Sequence, residues 1–278
     1  MHDYVIVDVF TTVALEGNPL AVFLNAADIP AARMQLIARE MNLSETTFVL
    51  PAQGDGDRRV RIFTPVNELP FAGHPVLGTA AVLGESTARS GLRLETAAGT
   101  IPVDLQYPSD GTVSARMRQP VPVWEPYRLR DDLLDALGIK SSTLPVDAYR
   151  NGPRHVYVGV GSEAALSRVQ PDLRALARHP DMAAICFAGS GTRWRMRMFS
   201  PAYGVAEDAA TGSAAGPLAV HLARYGLVPF GQQIEILQGV EMGRPSHMSA
   251  RADATGQRPH TVEVSGSAVI TAYGTLLV

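Results

Sequence analysis

RIFTPVNELPFAGHPVLGTAAVL, residues 61–83, is the stretch on which the fold turns. It reads as a short strand, a Pro-broken loop and an apolar helix. From Pro75 to Gly84 there is no charged side chain. A helix that is apolar on every face belongs inside a domain. Gly73 and His74 therefore stand at the mouth of a buried element. The same plan returns as RMFSPAYGVAEDAATGSAAGPLAVHL, residues 197–222. Arg61-Ile62-Phe63-Thr64-Pro65 is echoed by Arg197-Met198-Phe199-Ser200-Pro201. Gly73-His74 is echoed by Gly212-Ser213, and Ala80 and Leu83 by Ala219 and Leu222.

The echo extends backwards at an offset of 139, which puts Ala38-Arg39 on Ala177-Arg178, Phe48 on Phe187 and Glu45 on Ala184. Two copies about 139 apart in 278 residues indicate a duplicated domain. On that reading the halves have diverged at chosen polar positions, Glu45 against Ala184 and the segment bearing Glu207 and Asp208. Function then belongs to those differences and to the cleft between the halves.

Composition narrows the classes. The chain is 46% hydrophobic and 18% charged, enough apolar material for two cores. A net charge of −3 carries no electrostatic footprint for nucleic acid. No run of about 18 apolar residues offers a membrane span. MHDYVIVDVF reads as a first strand, not a signal peptide. The single cysteine, Cys186, permits no internal disulfide, which fits a reducing cytoplasm. Lys140 is the only lysine and lies at a helix end, in the setting of neither a Schiff base nor a phosphate loop.

Read in order, 3–10 and the segment after Gly17-Asn18-Pro19 are strands. Asp28 and Pro30 start a helix that ends near Asn42. Further strands begin at Thr46 and after the turn at 53–59. QPVPVWEP, 119–126, holds three prolines and is the expected linker. DDLLDALG forms a helix ending at Gly138, and strand-rich sequence resumes at RHVYVGV. Short strands with an apolar helix in each half predict an α+β protein of two similar halves, each a rolled, mostly antiparallel sheet around a central helix. The expected division is 1–119, completed by 267–278, and 120–266, with the site in the cleft.

Known single-stretch signatures are absent: no His-x-x-x-His or Cys-x-x-Cys for a metal, and no full dinucleotide loop. What remains is a constellation. Pro75 suits a first helical turn, and Ser213 is placed to cap the second helix. Pro217 is tolerable only if that helix starts late. Helix N-termini expose unpaired N–H groups and a partial positive charge, which suit a carboxylate or phosphate. Glu45, His74 and Asp208 are the titratable candidates, and Gly73, Gly212 and Ser213 the binding candidates. Singly, each has a plainer reading: a solvated strand-end Glu, a His cap, a turn Asp, turn glycines, a Ser cap. Together they flank both helix mouths. A carboxyl in a dry cleft has a raised pKa and can take and give a proton.

NLSETTFV, RIFTPVNELPFAGHPVLGTA and FSPAYGVAEDAATGSAAGPLAVHL resemble the PhzF family of phenazine biosynthesis. YRNGPRHVYVG and IEILQGVEMGRPS extend the resemblance more loosely, so that it covers nearly the whole chain. It implies the diaminopimelate-epimerase-like fold. Epimerases of that wider fold place a cysteine at each helix mouth; here the one cysteine lies at neither. The resemblance implies instead an isomerase of trans-2,3-dihydro-3-hydroxyanthranilate, without metal or other cofactor, and a homodimer. Glu45 is then the acid/base. His74, Asp208 and Ser213 match the family's other polar positions, and Gly73 and Gly212 its carboxylate contacts. Two other classes stay open: an isomerase of another small cyclic carboxylate, and a carboxylate-binding protein without turnover.

Overall fold

The two apolar stretches are helices, Gly73–Glu85 and Gly212–Arg224. In the first, Gly73 to Val82 are all buried; in the second, Gly212 to Ala223. Each runs through a rolled sheet. The computed structural model describes residues 1–85 and 87–278.

In the first sheet, His2–Val9 pairs antiparallel with Asn18–Phe23, which runs parallel to Thr46–Leu50. Arg58–Phe63 follows antiparallel, Gly91–Thr96 parallel, then Gly99–Gln106 and Val113–Gln119 antiparallel. The last strand, Arg258–Leu276, closes the ring. It pairs with Val113–Gln119 and, further along, with His2–Val9. The second sheet grows from the same strand. Ser246–Thr255, Ile234–Gln238, Arg193–Ser200, Ala183–Ser190, Arg154–Gly159, Asp147–Arg150 and Val123–Pro126 succeed one another. Its parallel steps fall at the corresponding places, so the fold is α+β and internally duplicated.

One continuous core runs through both rolls. Val76, Leu77 and Ala80 of the first helix share it with Ala214, Ala215 and Leu218 of the second. Outer helices cover the outer sheet faces. Ala31–Met41 packs Met34 and Ile37 against Phe23, Phe48 and Phe63. Arg130–Leu137 packs Leu133 and Leu137 in a cluster with Cys186 and Phe199. Asn42 and Gly138 end these helices in the left-handed conformation, as their sequences lead one to expect.

Three expectations need correction. The proline-rich segment is no free linker, because Val123–Pro126 forms a strand on Asp147–Arg150. Pro126 ends that strand and Pro120 and Pro122 precede it, so the prolines spare its ladder. The offset of 139 also slips by one in the strand after Glu45. Thr46 pairs with Phe63 and Ala184 with Phe199, so the register match of Glu45 is Ala183. Thirdly, Ser213 is not a cap: the helix already begins at Gly212, and no side chain caps it.

That early start leaves Pro217 inside the helix, where it supplies no N–H for the carbonyl four residues before it. The carbonyl is that of Ser213, and Asn151 Nδ2 donates to it at 2.9 Å. A side chain from the loop before Arg154–Gly159 thus replaces the missing backbone donor. Asn151→Ala should destabilise the protein by about 1–3 kcal/mol, the usual effect of orphaning a buried acceptor. Pro217→Ala should recover part of that loss in the Asn151→Ala background by restoring the N–H. Urea unfolding of the two single variants and the double variant measures both terms.

Candidate active site

The N-termini of the central helices meet head to head. A Cβ on Gly73 would lie 2.3 Å from Ser213 N and 2.4 Å from the Gly212 carbonyl carbon. A Cβ on Gly212 would lie 2.8 Å from the Phe10 ring and 3.1 Å from His74 N. Any side chain at either position would wedge the helices apart, so glycine is required by space. The first-turn amides of Gly73, His74, Gly212 and Ser213 have no carbonyl one turn back within their helices. Both dipoles point their positive ends at one place.

Around this junction the polar candidates converge. Glu45 immediately precedes the strand Thr46–Leu50, with its side chain 12% exposed and Oε2 at 3.5 Å from His74 Nδ1. His74 and Asp208 are 2% and 3% exposed. Burial pushes the Glu45 carboxyl well above its ordinary value, and the nearby charge of Asp208 adds to the shift. Burial also drives His74 down to about 3, so its imidazole is neutral. The Glu45–His74 approach is therefore not an ion pair. Desolvation shifts both groups towards their uncharged forms.

Asp208 is raised too, again by burial, but hydrogen bonds oppose the shift. Its Oδ1 accepts from Ser44 Oγ at 2.8 Å and from Asn18 Nδ2 at 2.8 Å, and its Oδ2 accepts from Thr211 Oγ1 at 2.7 Å. Asn18 Nδ2 also donates to the Ala210 carbonyl at 2.9 Å and lies 3.3 Å from His74 Nδ1, tying the first half to the second. Gln238 holds the turn from behind. It accepts from Thr211 N at 2.9 Å and donates to the Asp208 carbonyl at 2.8 Å. Two neighbouring carboxyls in unlike environments are thereby set apart: Asp208 has donors that favour its charge, and Glu45 Oε2 has no hydrogen-bond partner among the described residues.

A small, partly open cavity of about 20 Å³ adjoins Glu45, Thr211 and Ser213. Its lining includes Glu45, Thr64, His155, Ala183, Tyr203 and Ser213, drawn from both halves. It holds roughly one water molecule. A ring-sized ligand needs more room than this cavity offers. Ala183, the register counterpart of Glu45, contributes a methyl to the same cavity, so only one half brings a carboxyl here. Cys186 lies elsewhere, fully buried in the strand Ala183–Ser190, with its thiol pushed up to about 12 by desolvation.

Residues 7–274 match the family model described as PhzC-PhzF, phenazine biosynthesis-like protein. The chain belongs to the PhzC-PhzF family. Among its relatives in that family is a trans-2,3-dihydro-3-hydroxyanthranilate isomerase of Pseudomonas aeruginosa. The two are 60% identical over 274 residues, spanning 99% of each chain. The protein of the same name from Pseudomonas fluorescens is 59% identical over the full length of both. A crystal structure of a Bacillus anthracis phenazine biosynthesis protein of the PhzF family has the same fold. Its TM-score is 0.85 at 24% identity, covering 100% of this chain and 99% of that one.

All six sequence candidates gather at the helix junction. Reading the sequence missed Asn18, Ser44, Thr211, Gln238 and His155. Asn18 and Ser44 meet Asp208 across 190 and 164 residues, so no local spacing signals the contacts. The available hint was position: Ser44 adjoins Glu45, and Asn18 follows a glycine in a loop already marked as a turn.

The buried groups fix how stability responds to pH. His74 and His155 have folded values of about 3, below the ordinary 6.5. As pH falls below 6.5 the unfolded chain takes up protons that the folded chain refuses, so stability drops progressively towards pH 3. Glu45 acts in the opposite sense. Between its ordinary 4.5 and its raised folded value, the folded state keeps a proton that the unfolded state has lost. Stability therefore falls as pH rises through that window. Glu45→Gln should match the parent at about pH 4 and exceed it at about pH 8, measured as urea midpoints.

Proposed function

We propose that this protein is a trans-2,3-dihydro-3-hydroxyanthranilate isomerase, with Glu45 as the single acid/base. The observation that carries the role of Glu45 is a desolvated carboxyl with a raised pKa, beside two converging helix N-termini and with no carboxyl at its counterpart, Ala183. The identity of the substrate rests on the name of relatives that are 60% identical.

The substrate's chemistry fits the site. Its C3 carries a hydroxyl and a hydrogen, and a diene links C3 through the ring to C1, which bears the carboxylate. Removing the C3 proton delocalises the electron pair along that system. Returning a proton at C1 leaves an enol, which becomes the ketone. C3 and C1 lie on one ring, so a single carboxyl on one face serves both steps. Such a group takes the proton as carboxylate and returns it as carboxylic acid, which a raised pKa makes possible near neutrality. The amides of Gly73, His74, Gly212 and Ser213 take the substrate carboxylate. Their positive field also stabilises the charge that spreads towards C1 in the transition state. His74, neutral, stays beside Glu45 as an uncharged partner. The thiol of Cys186 takes no part.

General acid–base catalysis is worth about 10²–10⁴-fold, so Glu45→Gln should lose at least that in turnover while still binding a product-like aminobenzoate. Glu45→Asp should lose about 10²-fold, because its carboxyl sits one bond short. The loss of diene absorbance with purified protein measures both. A Glu45→Gln protein that turns over near the parental rate refutes the role. In the parent, kcat/KM should fall with acid through a value well above 4.5, because the base must be ionised to start.

A further inference from the structure

His155 is a buried histidine beside the mouth of the second helix. It lies on the strand Arg154–Gly159, 1% exposed, and lines the same cavity as Glu45 and Ser213. Its Nε2 is 3.3 Å from Ser213 Oγ, and its Nδ1 has no hydrogen-bond partner among the described residues. We infer that His155 is a positioning residue, which donates from Nε2 to Ser213 Oγ and so turns the Ser213 hydroxyl hydrogen into the cavity, towards the substrate's carboxylate.

The inference rests on counting donors. Burial and the nearby Arg150 keep the imidazole neutral, with a pKa of about 3, so it carries one N–H. If that hydrogen sits on Nδ1, a buried donor has no acceptor, and Ser213 must spend its own hydrogen on Nε2. The serine would then show only lone pairs to the cavity, which repel a carboxylate. If the hydrogen sits on Nε2, the orphan is an acceptor, which folded proteins tolerate better than an orphan donor. Ser213 Oγ then accepts from His155 and has its own O–H free. This second arrangement matches the other groups at the junction, where the first-turn amides of both helices are all donors. A site made of donors selects an anion, and His155 keeps the one adjustable group in that set from turning the wrong way.

This reading deepens the proposed function, and its test separates the two. The probes are 2-aminobenzoate and its carboxamide, titrated against the intact protein by fluorescence, so that binding is read without turnover. His155→Leu removes the donor and should weaken 2-aminobenzoate by about tenfold or more, the scale of a hydrogen bond to a charged group. Binding of the carboxamide should hardly change. His155→Gln keeps a donor at a similar reach and should restore most of the affinity. In a Ser213→Ala background His155→Leu should have little further effect, since its partner is gone. Additive effects of His155→Leu and Ser213→Ala overturn the inference, as does a His155→Gln protein as weak as His155→Leu. Should His155→Leu fail to fold, nitrogen-15 shifts of the imidazole in the unmodified protein decide the matter. A hydrogen on Nε2 supports the inference, and one on Nδ1 overturns it. Absent isomerase turnover with the binding pattern intact would count against the proposed reaction and leave His155 in place.

Discussion

Two helix ends of like partial charge are pressed together until no Cβ fits between them. Left alone, that contact is unfavourable: the positive ends of two dipoles face one another, and several amides lack acceptors. The surrounding structure holds it. Both helices are buried along their length in one shared core, so separating them would expose apolar surface on every face. The junction is thus over-determined by packing, and the proposed carboxylate site uses the amides gathered there.

The polar groups follow from the same constraint. A site dry enough for the helix dipoles to act strongly is dry enough to raise the pKa of Glu45 and to keep His74 neutral. Asp208 escapes the same fate only in part, through donors from Ser44, Asn18 and Thr211. Duplication supplied two equivalent mouths, and divergence made them unequal. One mouth has Glu45 at its side, and the other has the methyl of Ala183 and the imidazole of His155. A one-base proton shuttle needs that inequality.

Much of this was legible in the sequence because the decisive features are local. An uncharged run from Pro75 to Gly84, a glycine before it and a second copy downstream are enough to give two buried helices and their entrances. Glu45, His74 and Asp208 stood out as titratable groups next to those entrances. The residues that tune them did not, because Asn18, Gln238 and His155 act through contacts across long stretches of chain. Ser213 was misread as a cap because Pro217 argued for a late start. Asn151, far away in sequence, removes that objection by feeding the orphaned carbonyl. The slip from Ala184 to Ala183 arose because a fixed offset ignores the different loop lengths on either side of each strand.

The last strand has a consequence for how such a chain is made. His2–Val9 leaves the ribosome long before one of its two neighbours, Ala268–Leu276. Until that partner emerges, the opening strand has an unpaired edge, and the first sheet cannot become a ring. The second sheet waits on the same strand, through Arg258–Ser265. Neither half can be completed ahead of the other during synthesis. Until that strand is made the nascent chain carries open strand edges, a state prone to pairing with the wrong neighbour and to chaperone recruitment. Once complete, it still has to close contacts spanning nearly its whole length, a topology that favours slow folding.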